Sequence, residues 1–167
     1  EVVAAAGRVM AIREMGKLSF ATLQDGSGKI QVILRDGDTP EKEADFFKKY
    51  IDSGDFIGVK GIVTRTKRGE LSVVAREVAL LSKSLLPLPE KWHGLQDKEE
   101  RYRKRYLDLI MNPEVKKVFV IRAKIIQAIR EFLNVRGFLE TDTPGLQLLY
   151  GGANARPFET HLHALDI

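Results

Sequence analysis

Four side chains in the first half of the sequence have the chemistry to read an unstacked nucleobase. Phe20 offers a ring on which a base can stack, and Arg13 offers a fork of donors for a phosphate or a base edge. Gln31 brings a paired donor and acceptor, and Glu70 an acceptor for an imino or amino group. Each also has an ordinary reading, Phe20 as core and the other three as solvated strand positions. They act together only if the fold carries several strands to one surface.

The pattern around them supplies such strands. Residues 2–15 are β-branched and apolar with polar interruptions, and "KLSFATLQDGSGKIQVILRD" alternates on either side of Asp25-Gly26-Ser27-Gly28, which has the composition of a hairpin turn. "TPEKEADFFKKYIDSG" breaks the alternation and predicts one short helix, with Thr39 as N-cap, Pro40 at the first helical position and Gly54 at the end. Strands resume with "DFIGVKGIVTRT", turn at Lys67-Arg68-Gly69 and finish with "ELSVVAREVALLS". Three strands, a helix and two strands fit a five-stranded OB-type barrel; an SH3-like barrel shares the pattern.

From Lys83 to Gln96, "KSLLPLPEKWHGLQ" reads as a stiff proline-containing connector. "DKEERYRKRYLDLIM" follows as a helix capped by Asp97, with a basic face over 98–105 that is either solvated or turned to RNA phosphate. Asn112 and Pro113 then open a longer helix. Val118, Ile121, Ile125, Ile129 and Phe132 recur along it at helical spacing, and Phe119, Ile126 and Leu133 widen the stripe until two neighbours are needed to cover it. Gly137 stops this helix, and residues 138–143 read as a strand halted by Pro144.

Other chemistries fit poorly. "GSGK" lacks the first glycine of a phosphate loop and has Ile30 where a hydroxyl should follow the lysine. His161 and His163 share a strand face but bring no clear third ligand, so they read as ordinary strand histidines, and no nucleophile elbow is present. The absence of cysteine excludes disulfide frameworks and thiolate zinc sites and suits a reducing cytoplasm. No apolar run reaches the roughly 20 residues of a membrane span, no secretory pattern opens the chain, and Glu1 in place of Met suggests an internal piece of a longer protein. A formal charge of +4 is compatible with a polyanionic partner.

Dense stretches of the chain resemble one family. "GRVMAIREMGKLSFATLQDGSGKIQ", "RGELSV", "LLPLPEKWHGLQDKEERYRKRYLDLI", "RGFLETDTPGLQ" and "GGANARPFETH" are similar to bacterial-type class II lysyl-tRNA synthetases. The "RYLDL" segment and the Gly-to-Pro strand are shared with the aspartyl and asparaginyl relatives, whereas "LPEKWHGLQDKEERYRKRYLDL" and "GGANARPF" point to the lysine branch. The resemblance implies an α+β chain: an OB-fold anticodon-binding domain over 1–82, a linker over 83–97, and over 98–167 the helical and partial antiparallel-sheet start of a catalytic domain.

In that family the aromatic at Phe20 stacks on the central anticodon uridine, Arg13 and Gln31 contact that base, and Glu70 helps read its neighbourhood. The helix ending at Gly137 and the segment ending at Pro144 resemble motif 1, which forms the homodimer interface. The "GGANARPF" loop resembles one that lines the lysine pocket, implying contacts from Gly151, with Gly152 and Ala153 adjacent. Small residues there let backbone approach a substrate closely. Gly145 and Tyr150 depart from the family pattern, which often has a larger residue at the first and Pro or a small residue at the second.

The resemblance implies a lysine–tRNA ligase as parent, using ATP and Mg2+ with tRNA(Lys) and lysine as partners. The motifs that grip ATP and magnesium are not found, so the fragment alone is expected to be inactive and to need no cofactor. Alternatives are a stand-alone tRNA-binding and dimerisation module and an aspartyl or asparaginyl relative.

Overall fold

A computed structural model of the chain describes residues 1–66, 69–89, 95–145 and 160–166. The expected lysine-pocket residues Gly151, Gly152 and Ala153, together with Tyr150, Trp92, Lys67 and Arg68, lie outside these. Compactness divides the chain into a unit over Glu1–Pro113 and another over Glu114–Ile167.

Alternation builds the first unit. β1 (Val2–Met15), β2 (Leu18–Gln24), β3 (Lys29–Arg35), β4 (Phe56–Arg65) and β5 (Leu71–Ser82) close a barrel in the order β1-β2-β3-β5-β4. Along β2, Ser19, Ala21 and Leu23 point into the core while Leu18, Phe20, Thr22 and Gln24 stay half-buried, the period of two that one solvated sheet face requires. Every neighbour pair is antiparallel except β3 and β5, which run parallel with Gln31 beside Ser72 and Ile33 beside Val74. That closure is the five-stranded OB topology, not the SH3-like alternative.

The core gathers Val9, Leu23, Val32, Leu34, Ile57, Val59 and Val73 from the strands. Phe47 and Ile51, at and just beyond the end of α1 (Glu41–Tyr50), complete it from the helix between β3 and β4. Thr39 does not cap α1 as expected. Its hydroxyl accepts from the Arg35 N–H at 3.1 Å to close the turn after β3, and Pro40 takes the cap position.

Asp25 forms the β2–β3 turn, its Oδ1 accepting from the Ser27 and Gly28 N–H groups at 2.8 and 2.9 Å. Gly61 marks the closest approach in the barrel, since a Cβ there would lie 2.0 Å from the Val74 carbonyl oxygen.

The first residues of the connector are fastened to the barrel. Asp55 is fully buried, and its carboxylate accepts from the N–H groups of Asp52 and Ser84, each at 2.7 Å, and from the Lys83 ammonium at 2.8 Å. Burial alone would raise the Asp55 carboxyl, but these donors outweigh it and hold it below the ordinary carboxylate range.

Residues 97–111 form two helices rather than the single one expected. α2 (Lys98–Arg103), capped as expected by Asp97 accepting from the Glu100 N–H at 2.7 Å, breaks at Lys104, and α3 (Arg105–Met111) follows. The break surrounds a second buried carboxylate. Arg101 donates to Asp108 at 2.9 Å, Arg105 pairs with it, and the Asn112 amide donates at 2.6 Å. Burial pushes the Asp108 carboxyl up, and the amide and guanidinium contacts outweigh it and bring it below the usual value. Two more cations of the basic run are paired, Arg103 with Glu99 and Lys104 with Glu100, both at 2.7 Å.

α4 (Pro113–Asn134) starts at the expected proline and from Glu114 onward belongs to the second unit. It ends in a turn where Gly137 has a φ of +80° and the Phe138 N–H reaches back to the Leu133 carbonyl at 3.2 Å, the bond of a Schellman stop. Ile121, Ile125, Ile129 and Phe132 are each more than half exposed. Residues 138–143, expected as a strand, make no ladder among the described residues. A strand exists only through pairing, and an alternating sequence cannot supply its own partner.

Candidate nucleic-acid interface

The outward face of β1, β2 and β3 ends in a cavity of about 420 Å³, within the range of small-ligand sites. Arg13, Phe20, Gln31 and Glu70 all line it. The β1–β2 register sets Arg13 opposite Phe20, and the β2–β3 register sets Thr22 opposite Gln31. Glu70 arrives from the turn before β5, where Thr66 and Glu70 exchange bonds: the Thr66 N–H donates to the Glu70 carbonyl at 3.0 Å, and the Glu70 N–H donates to the Thr66 hydroxyl at 3.1 Å. Gly69 serves this turn with a φ of +83°.

Across the floor, the Gln31 amide donates to the Glu70 carboxylate at 2.9 Å. Phe20 is half-buried, outside the core cluster, and leaves a ring at the cavity wall. The site therefore offers an aromatic wall, a cation at the rim and a coupled amide–carboxylate pair. That set can stack a flat ring and hydrogen-bond its edge.

Four further residues line the cavity: Ala11, Met15, Thr22 and Thr66. The period of two along β1 and β2 carried the signal for the first three, since they stand two residues from Arg13 or Phe20 on the same face. Thr66 had no such signal, because its place depends on the β4–β5 turn.

Residues 3–81 match the OB-fold nucleic acid binding domain family, and residues 97–166 match the family of class II tRNA synthetases (D, K and N). A lysine–tRNA ligase from Moorella thermoacetica is 58% identical over 99% of this chain and 34% of its own length. Along nearly all of its length the chain is similar to class II lysyl-tRNA synthetases. Another relative, the lysine–tRNA ligase of Dehalococcoides mccartyi, is 55% identical over 99% of the chain and 33% of its own length. Lysine–tRNA ligase 2 of Methanosarcina mazei is 56% identical over 98% of the chain and 32% of its own length. The chain thus spans about a third of these curated synthetases. All three bear the lysine name, whereas the second family model spans the D, K and N branches.

The remaining motif residues of the synthetase resemblance are distributed. Gly137 and Pro144 lie in the second unit, at and beyond the end of α4. His161 and His163 do not share a strand: they flank the start of a terminal turn, their rings meeting edge-on at 4.7 Å with the Asp166 carboxylate 3.3 Å from His161. No helix among the described residues is long and apolar enough to cross a membrane.

Proposed function

We propose that the barrel reads an anticodon base of a lysine-accepting tRNA in the cavity of Arg13, Phe20, Gln31 and Glu70. The setting is a cytoplasmic lysine–tRNA ligase that activates lysine with ATP and transfers it to that tRNA. One observation carries the reading. Four residues chosen for base-reading chemistry, distant in sequence, line a single cavity on the solvated face of an OB barrel.

The organisation that goes with this is a barrel over 1–82, a connector over 83–97 and the start of a catalytic domain over 98–167. Gly151, Gly152 and Ala153 would contribute to the lysine pocket. The α4 face, with Gly137 and Pro144, would form the homodimer boundary, and the exposed Ile121, Ile125 and Ile129 support that assignment. ATP and magnesium belong to the whole enzyme. Among the described residues no group of three or more His, Cys, Asp or Glu side chains converges to hold a metal ion, and no step of the reaction is assigned to them.

The test is titration of the chain with a fluorescent anticodon stem-loop of a lysine-accepting tRNA and with copies carrying each anticodon base replaced in turn. Binding that weakens for one replaced base supports the reading. Equal affinity for every loop, or none, rejects it.

A further inference from the structure

We infer that Ser72 is a positioning residue that fixes which way the Gln31 amide faces and so sets the hydrogen-bond pattern the cavity presents to a base. The inference rests on the reading of the cavity as a base site.

The polarities follow from the chain of contacts. An ionised carboxylate only accepts, so the Gln31 atom 2.9 Å from Glu70 must be the amide nitrogen, and the amide oxygen then faces away. That oxygen lies 2.9 Å from the Ser72 hydroxyl, which must donate. The same hydroxyl is 3.3 Å from the Glu70 carbonyl, but it has one proton and the shorter contact takes it. Ser72 is completely buried beside Gln31 in the parallel β3–β5 pairing, so water does not compete for the hydroxyl. With its oxygen turned to Ser72, Gln31 faces its nitrogen to the Glu70 side, where one amide N–H is left for a ligand.

The Glu70 carboxylate that takes the other N–H keeps acceptor capacity of its own. A donor next to an acceptor complements a base edge with a carbonyl next to an imino N–H. Uracil and guanine have such an edge, whereas cytosine and adenine carry an amino group next to an unprotonated ring nitrogen. Ser72 touches no ligand in this scheme. It acts together with Glu70: the carboxylate holds the nitrogen end and the hydroxyl anchors the oxygen end, so the amide does not turn over.

The experiment measures binding of the whole chain to two fluorescent anticodon stem-loops that differ only in carrying uracil or cytosine at the recognised position. The wild type is expected to prefer uracil, and Ser72→Ala to cut that preference by about tenfold, the scale of one good base contact. Ser72→Thr, which restores the hydroxyl, should recover it. Ser72→Cys fills the same space but donates weakly, and reads the same ratio if alanine underpacks the buried position.

An unchanged uracil-to-cytosine ratio in Ser72→Ala, or equal weakening of both loops, overturns the inference and leaves the base site standing. A wild type that does not distinguish the loops overturns the base reading and the role of Ser72 with it.

Discussion

Phe20 and Arg13 face each other across the β1–β2 ladder, so the aromatic wall and the cationic rim of the cavity sit at one register position. Removing the ring takes away the stacking surface and leaves the cation and the hydrogen-bonding pair. Phe20→Ala is expected to weaken stem-loop binding by about 1–3 kcal/mol. Because Phe20 lies outside the core cluster, the thermal unfolding midpoint should move little. Fluorescence titration with a melting curve checks both, and unchanged affinity in a folded variant contradicts the stacking role.

Glu70 is expected to act on choice more than on strength. Glu70→Ala removes the acceptor and releases the Gln31 amide, so discrimination between anticodon loops should relax by about 1–3 kcal/mol while stability holds, the residue being exposed. Parallel titrations with matched and base-replaced loops measure it. Uniform weakening for all loops would count against it.

Gly61 permits the barrel to close. The methyl of Gly61→Ala would collide with the Val74 carbonyl, a backbone atom with no rotamer to escape into, so the substitution should cost about 3 kcal/mol or more. Urea unfolding of the variant against the wild type reads this directly.

Asp55 ties the loop before β4 to the start of the connector, and its folded pKa lies below the unfolded one. Its stabilisation is therefore fully present above the unfolded pKa of about 4 and is lost as pH falls through the folded value. Lys83, raised chiefly by its bonds to Asp52 and Asp55, behaves oppositely, stabilising below its unfolded pKa and losing that contribution as pH rises through the folded one. Asp55→Asn should cost about 3 kcal/mol at neutral pH, the scale of a broken buried pair. The melting difference from wild type should shrink toward acid below about pH 4. A pH series of melting curves decides it.

Pro144→Ala is expected to weaken the proposed dimer at least about tenfold, roughly 1.4 kcal/mol, in the protein of full natural length. Light scattering across a dilution series checks this, and an unaltered dimer would contradict the interface role.

The barrel was legible because alternation and turn chemistry are local. Phe20 stands on the outward face by the same period that sends Ala21 and Leu23 inward. The four-residue cluster followed once the strands were ordered. Ser72 was not legible, since its meaning comes from the parallel β3–β5 pairing, a non-local contact with no signature in either strand. The break at Lys104 was hidden for a similar reason: helical spacing from 98 to 111 is continuous, and only a buried Asp108 gathering Arg101 and Arg105 explains the bend. Thr39 misled because a hydroxyl before proline can close a turn as readily as cap a helix.

The pairing of Arg101, Arg103, Lys104 and Arg105 with nearby carboxylates bears on how the molecule would meet a polyelectrolyte. Cations already neutralised within the protein displace few counterions from RNA, so this stretch should add little to the dependence of affinity on ionic strength. The salt dependence of binding would then be set by cations elsewhere in the chain.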